Sequence, residues 1–487
     1  MKNILKQPTV YLFLILIFGF LVRLYKINTP LADWHSWRQV DTASVSRNYV
    51  NNGINILFPT YHDVSSIQSG YFNPHGYRFV EFPIYNVLHA LLAKNFPVWS
   101  LEVWGRLVSI VCSVVSMVMI YVLGNKYIGK WGGVLAAFFF AFIPYNIFFS
   151  RVILPEPMAT MFGLMALVAF VFYVERGKAG LLYLSGLTFA LAILVKPFIA
   201  FYGIVMIYLL LDKYRPREIL TNSKLLINLF IFVDIVLVPL LAWRAWIGQF
   251  PAGIPFSKWM FNGDGIRFRP AFWRWIFVER LGKMILAVWG LPLFVVGASW
   301  IGKKKYFIQA FLFSMLAYVS IVATANVRHD YYQVFLVPAV SLACAAGVVY
   351  LLKAEGLSRL MSKIMVVLSV LLMVGIGFYQ IKDNYNINHP EIIAAGVEVD
   401  KIVPKDAWVV APYNGDTAFL YQTKRWGWPA VDTDFGTLIT RGADYYVSVN
   451  LGDSDTKFVR EHFKVLEENH QFMIADLHQI VVPLETK

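Results

Sequence analysis

A chain of 487 residues that is 58% hydrophobic, 16% aromatic and only 15% charged carries more apolar surface than a water-soluble fold can bury. Its net charge of +13 does not point to nucleic acid, because the Lys and Arg residues sit largely in short loops between apolar stretches. The two cysteines, Cys112 and Cys344, both lie inside apolar stretches, which argues against a disulfide framework or a cysteine metal centre.

Lys2 and Lys6 precede the first apolar stretch as in a signal peptide, but no small-residue cleavage site follows, so an uncleaved signal anchor is expected. Membrane spans of about 20 residues are expected near 9–26, 103–124, 132–149, 155–174, 180–196, 198–211, 225–247, 283–300, 306–324, 331–351 and 363–380. Segment 83–97 is apolar but short, which suits a re-entrant or interfacial helix. Lys126 and Lys130, Arg176 and Lys178, Lys213 to Lys224, Lys303 to Lys305, and Lys353 to Lys363 share one membrane side, read as cytoplasmic together with the N-terminus. Loops 27–82 and 248–282 and everything after 381 then face outward. Residues 244–283 break the charge rule with five Arg, two Lys and four Trp, directly after Trp243. They read equally well as an interfacial helix or a surface for an anionic lipid head group.

From about residue 385 the composition turns polar. Ala407–Ala411, Tyr445–Asn450 and Phe472–Ala475 read as strands; Glu391–Ile402, Thr417–Thr423 and Thr456–His462 read as short helices. The expected organisation is a transmembrane domain at 1–384, with its first outer loop at 27–100, and a small extracytoplasmic α/β domain at 385–487.

The polar run Asp33-Trp34-His35-Ser36-Trp37-Arg38-Gln39-Val40-Asp41-Thr42 directly follows the first span. Ionisable groups placed there are costly to desolvate and suggest a site. Asp63, His75, Arg78 and Glu81 follow in the same loop. Arg151 and Glu156 flank the start of the fourth span, Lys196-Pro197 ends the fifth, and Arg328-His329-Asp330-Tyr331-Tyr332 ends the ninth. All these ends fall on one membrane face and can converge on one polar cavity, with carboxylates to take a proton and cations to hold an anion. Taken singly, Lys196 reads as a snorkelling residue, Arg151 and Glu156 as a local ion pair, Tyr331 and Tyr332 as aromatic-belt residues, and Asp41 as helix decoration or a cap. Their shared face favours a site. Asp432-Thr433-Asp434 and Asp453-Ser454-Asp455 look like metal-and-nucleotide DxD motifs, but the domain lacks a glycine-rich phosphate loop, and both read as turn residues. No histidine spacing suggests zinc.

The set Arg23-Leu24-Tyr25, Asp33–Asn48, Glu81-Phe82-Pro83-Ile84-Tyr85, Trp104-Gly105-Arg106-Leu107, Ser150-Arg151, Pro155-Glu156, Leu194-Val195-Lys196-Pro197 and His329-Asp330-Tyr331-Tyr332 with Pro338 resembles the GT-C glycosyltransferases. Within them it is most similar to the family 39, dolichyl-phosphate-mannose protein mannosyltransferase-like proteins, relatives of the lipid A aminoarabinose transferase. The resemblance covers residues 1 to about 380 and implies a polytopic α-helical membrane enzyme. It implies a polyprenyl-phosphate-sugar donor, an extracytoplasmic acceptor hydroxyl on a protein, lipid or glycan, and inversion at the transferred carbon.

Family members carry an Asp-Glu pair in the first outer loop, its Asp acting as base; here counting from either flank falls near His35 or Arg38. Asp33 and Asp41 are the candidate bases, with Glu81 next; Asp33 is slightly favoured, because Asp41 stands about one helical turn beyond Arg38 and is expected to pair with it instead. His35, Arg38, Arg151, Glu156, Lys196, Arg328, His329, Tyr331 and Tyr332 are the implied substrate-binding residues. No cofactor, metal or nucleic acid is implied; membrane lipids are. The rival readings are a ligase or oligosaccharyltransferase using a lipid-linked glycan, a transporter or flippase of lipid-linked sugars, and a membrane scaffold.

Overall fold

The computed structural model describes residues 7–302 and 306–483, so Lys2, Lys6 and the Lys303 to Lys305 run lie outside the described residues. The helices in chain order are α1 (Pro8–Arg23), α2 (Ser36–Asn52), α3 (Ile84–Asn95), α4 (Leu101–Tyr127), α5 (Lys130–Phe142), α6 (Pro144–Phe149) and α7 (Glu156–Arg176). Then come α8 (Ala179–Val195), α9 (Tyr202–Lys213), α10 (Pro216–Thr221), α11 (Ser223–Ile247), α12 (Pro270–Arg274), α13 (Leu291–Ser299) and α14 (Phe307–Ile321). The last are α15 (Ala323–Arg328), α16 (Val337–Lys353), α17 (Arg359–Ile381), α18 (Pro390–Ile402), α19 (Thr417–Thr423), α20 (Phe435–Thr440) and α21 (Ser454–His462).

The chain divides into two compact units. The first comprises Met1–Ile27, Arg106–Arg244 and Ser257–Asp383; the second comprises Asn28–Gly105, Ala245–Phe256 and Asn384–Lys487. The change at 383/384 falls where the composition turns polar, whereas 28–105 and 245–256 group with the C-terminal segment.

The first unit is a helical bundle. Among the described residues, five stretches are long and apolar enough to cross a membrane: Leu101–Tyr127, Glu156–Arg176, Ser223–Ile247, Asp330–Lys353 and the apolar part of Arg359–Ile402. The most apolar stretch of Asp330–Lys353 is 89% buried and forms the centre, while that of α11 is only 11% buried. A 25-residue helix that shows its apolar side chains on nearly every side needs a lipid surrounding. The protein is a multi-pass membrane protein. At the centre, α13 and α16 touch backbone to backbone. A Cβ on Gly297 would stand 1.7 Å from the carbonyl oxygen of Ala343, and one on Gly347 2.0 Å from that of Leu293. Such small-residue contacts are the usual means of close helix approach in lipid.

Several expected spans are interrupted. The 132–149 stretch breaks at Ile143, because Pro144 starts α6. The 283–300 stretch is a π-helix over Trp275–Ile285, a turn, and the nine-residue α13. The 331–351 stretch opens as a 3-10 helix over Asp330–Leu336 before α16. Segment 83–97 forms α3.

The second unit carries a five-stranded sheet: β1 (Trp408–Val410), β2 (Trp426–Trp428), β3 (Ala443–Ser448), β4 (Phe463–Glu468) and β5 (Met473–Ile480), in the order β2-β1-β3-β5-β4. β1 is parallel to β2 and β3; β5 is antiparallel to β3 and β4. The sequence signalled β1, β3, β5, α18, α19 and α21, but not β2, β4 or α20. The first loop extends this sheet: Val64 N–H donates to the Gly427 carbonyl at 2.9 Å, and Gly427 N–H to the His62 carbonyl at 2.9 Å. Only glycine fits at 427, where a Cβ would meet the Val409 carbonyl oxygen at 1.7 Å. Trp428, Tyr446, Val459, Phe463 and Val64 share one core, so the loop and the sheet domain fold together.

Candidate active site

In the membrane unit, the candidate residues gather at helix breaks. Pro197 disfavours a helical residue before it, and Lys196 is accordingly extended (φ −154°, ψ 109°) between α8 and a 3-10 turn. His329 is likewise extended between α15 and the 3-10 helix. Broken helices at membrane depth are tolerated where the backbone is buried in protein or lines a cavity.

The Lys196 ammonium lies 2.9 Å from Glu156 Oε1; both side chains are nearly closed to solvent. Glu156 is in the first turn of α7, where the helix dipole favours an acid. Lys196 Nζ also stands 5.6 Å from the Tyr332 ring centre and 6.0 Å from that of Phe198. Tyr332 packs on Tyr331 at 4.4 Å, and His329 lies 5.5 Å and 6.1 Å from these two rings. Trp259 stacks edge-on to His329 at 5.7 Å and receives Arg328 over its ring at 5.7 Å, while Arg328 reaches Asp264 at 3.5 Å. Tyr331 and Tyr332 are buried and therefore do not belong to an aromatic belt.

Arg151 takes a different position from the local pair weighed for it. Its Nε and Nη2 donate to the carbonyls of Arg23 and Lys26, at 3.2 and 2.9 Å, and so hold the end of α1. Arg23 in turn donates to Ser150 Oγ at 2.8 Å. In the 244–283 segment, Arg267 and Arg280 donate to the carbonyls of Ser320 and Val327. Part of that basic excess therefore serves the backbone around α15.

In the second unit, the polar run forms the start of α2 and its approach. His35 adopts the left-handed conformation (φ 55°) and is partly exposed. Asp33 is buried, with its Oδ1 accepting from Gln39 Nε2 at 2.7 Å. Arg38 pairs with Glu81 rather than with Asp41. Asp41 pairs with Arg78, at 2.5 Å from Oδ2, and its Oδ1 accepts from the Thr417 hydroxyl at 2.7 Å. The expected Arg38–Asp41 pair is thus replaced by two longer-range pairs.

Beside Asp41 is a cavity of about 10 Å³, lined by Asp41, Ser44, Tyr61, His62, Asp63 and Thr417. That is room for about one water and for no substrate. Burial raises the Asp63 carboxyl to about 6, with Asp41 adding to the rise against hydrogen bonds from Ser65 and Tyr61. Burial first, and the charge of Arg47 second, keep His62 neutral, well below the usual histidine range. Among the described residues no three His, Cys, Asp or Glu side chains are grouped as a metal would need. Asp434 and Asp453 cap α20 and α21, and Asp432 accepts from Ser66, so the two DxD runs serve turns and helix starts.

Sequence reasoning did not single out Gln39, Phe198, Trp259, Asp264 or Thr417. Gln39 was visible as a polar residue six positions after Asp33. Nothing near Thr417 in sequence signals its partner, 376 residues away.

Residues 84–243 match the family described as dolichyl-phosphate-mannose-protein mannosyltransferase, a stretch that includes Glu156 and Lys196. The fold is similar to that of ArnT from Cupriavidus metallidurans in the apo state, with a TM-score of 0.67 and 11% identity over 96% of this chain and 98% of that one. The chain has the GT-C glycosyltransferase fold. The same ArnT bound to undecaprenyl phosphate gives a TM-score of 0.64 at 10% identity, again over 96% and 98% of the two chains. A second structure of similar fold, the oligosaccharyltransferase of Archaeoglobus fulgidus in complex with Zn and sulfate, gives a TM-score of 0.57 at 12% identity over 93% of this chain and 71% of that one. No curated protein matches the sequence.

Proposed function

We propose that this GT-C protein transfers a sugar from a polyprenyl-phosphate donor to an extracytoplasmic hydroxyl, with inversion. The observation that carries the reading is the buried Lys196–Glu156 pair, set at a helix break among aromatic rings. An ammonium at membrane depth is expensive, and holding a lipid-borne phosphate is a use that matches the cost. The family match over 84–243 and the undecaprenyl phosphate bound by ArnT support the same donor class.

Asp33 is assigned as the base. It takes the acceptor hydroxyl proton as that oxygen bonds to the anomeric carbon. The bond from that carbon to the phosphate oxygen breaks, and the electron pair leaves with the lipid phosphate. Lys196 stabilises the leaving phosphate, aided by His329 and Arg328, while Tyr331 and Tyr332 present aromatic faces. Arg38 and Glu81 orient the start of α2, and His35 contacts the acceptor. Asp33 is preferred to Asp41, because Arg78 and Thr417 engage the two Asp41 oxygens and the space beside it admits about one water. The phosphate leaves as an anion, so a fixed cation suffices and no metal or cofactor is assigned.

Transfer of a whole lipid-linked glycan is the second reading. The fuller overlap with ArnT than with the oligosaccharyltransferase, 98% against 71% of the other chain, favours the single-sugar form. Native mass spectrometry of the purified protein with added undecaprenyl phosphate tests the donor class. Binding that survives competition by phosphatidylglycerol, and is lost in Lys196→Met, is expected. Equal displacement by phosphatidylglycerol would remove the polyprenyl-phosphate assignment.

A further inference from the structure

We propose that the C-terminal sheet domain is a brace for α2, and that Thr417 is its positioning residue. The inference rests on the proposed transfer reaction only in giving α2 a catalytic use; the brace itself stands on contacts within the second unit.

The helix α19 begins with Asp416 as its cap, whose Oδ1 accepts from Ala418 N–H at 2.7 Å. This cap fixes the next residue, Thr417, so that its hydroxyl donates to Asp41 Oδ1 at 2.7 Å; its oxygen also lies 3.4 Å from the Trp37 carbonyl. Four residues on, the Tyr421 carbonyl accepts from Arg47 Nη1 at 2.9 Å, and the Arg47 guanidinium lies 3.5 Å above the Tyr421 ring. Gln422 Nε2 donates to the Leu31 carbonyl at 3.1 Å. One seven-residue helix therefore grips the chain at Leu31, at Asp41 and at Arg47. These points bracket Asp33, His35 and Arg38.

The central grip is the one that a single atom controls. Asp41 is 1% exposed and is held on its other side by the buried Arg78. Without the Thr417 hydroxyl, a buried carboxylate oxygen loses its donor, and α2 gains freedom to turn about the remaining Arg78 contact. Arg38 lies one turn before Asp41 and holds Glu81; Gln39 holds Asp33. Rotation of this turn displaces all three together. Misplacement of reacting groups by an ångström is enough to cost large factors in rate.

The test compares full-length Thr417→Val and Thr417→Ser in lipid nanodiscs. Valine keeps the shape and removes the donor; serine keeps the donor. Amide hydrogen exchange over residues 36–44 should rise by about tenfold in the valine variant and stay at the wild-type rate in the serine variant. In the transfer assay, kcat should fall roughly tenfold or more with donor KM unchanged in the valine variant, and recover with serine. Unchanged exchange over 36–44 in Thr417→Val overturns the brace, whatever the activity. Raised exchange with undiminished kcat also overturns it. If wild-type protein transfers from no polyprenyl-phosphate sugar, the transfer reading fails and the exchange arm alone decides the brace.

Discussion

Lys196 Nζ is 2.9 Å from Glu156 Oε1, with side-chain exposures of 5% and 0%. A buried ion pair seldom stabilises a fold as well as apolar residues of the same size, because desolvation offsets the attraction. Removing one partner leaves the other charge uncompensated. Lys196→Met should therefore destabilise the protein by about 3–5 kcal/mol, read by thermal unfolding in detergent. Lys196→Met with Glu156→Gln should recover most of that stability. Turnover should stay down by roughly a hundred- to a thousandfold in the double variant, since the phosphate has lost its cation. An active double variant would show that the pair is structural.

Asp33 and Asp41 should part company when each becomes Asn. Asp33→Asn can keep its oxygen on Gln39 while losing the proton acceptor, so the rate should fall by about a hundredfold or more. Asp41→Asn strips the charge from the buried Arg78 and should cost about 3–5 kcal/mol of stability. No difference in rate between the two variants would overturn the assignment of Asp33.

How much of this was legible in the sequence depends on distance along the chain. The run 33–42 announces itself because charges follow a span directly. Its partners do not: Glu81 is 43 residues from Arg38, Arg78 is 37 from Asp41, and Thr417 is 376 away. Local spacing suggested an Arg38–Asp41 pair one turn apart, and tertiary packing overrode it. Lys196 and Glu156 were both singled out, but the spans between them hid their contact. β2 is the three residues Trp426–Trp428, too short for any period to show, and β4 follows α21 without a turn signal.

Asp63 gives a pH dependence. Burial raises its carboxyl from the ordinary 3.8 to about 6. A raised acid favours the folded state while protonated. Its contribution is full below pH 3.8, fades as pH rises, and is gone above about 6. At about 1.4 kcal/mol per unit, that is on the order of 3 kcal/mol. Asp63→Asn does not titrate, so wild-type stability relative to this variant should fall by that order from pH 4 to pH 7. Denaturant unfolding at the two pH values checks it; a constant difference would contradict the buried, titrating carboxyl.

Sidedness can be read with single cysteines, because Cys112 and Cys344 are buried. Asn450→Cys should label in intact cells with an impermeant maleimide. Glu355→Cys, separated from it by the one apolar helix α17, should label only after permeabilisation. The reverse pattern would place the C-terminal domain and the 33–42 run inside the cell.

Turnover of a lipid-linked sugar tests the central claim most directly. Purified protein in bilayers is given radiolabelled undecaprenyl-phosphate sugars with a cell-envelope fraction as acceptor. Free undecaprenyl phosphate and labelled acceptor should appear in equal amounts, with the anomeric configuration inverted. Asp33→Asn and the Lys196→Met/Glu156→Gln double variant should abolish both products. Absence of both with every lipid-linked sugar, or undiminished formation in the two variants, would contradict the account.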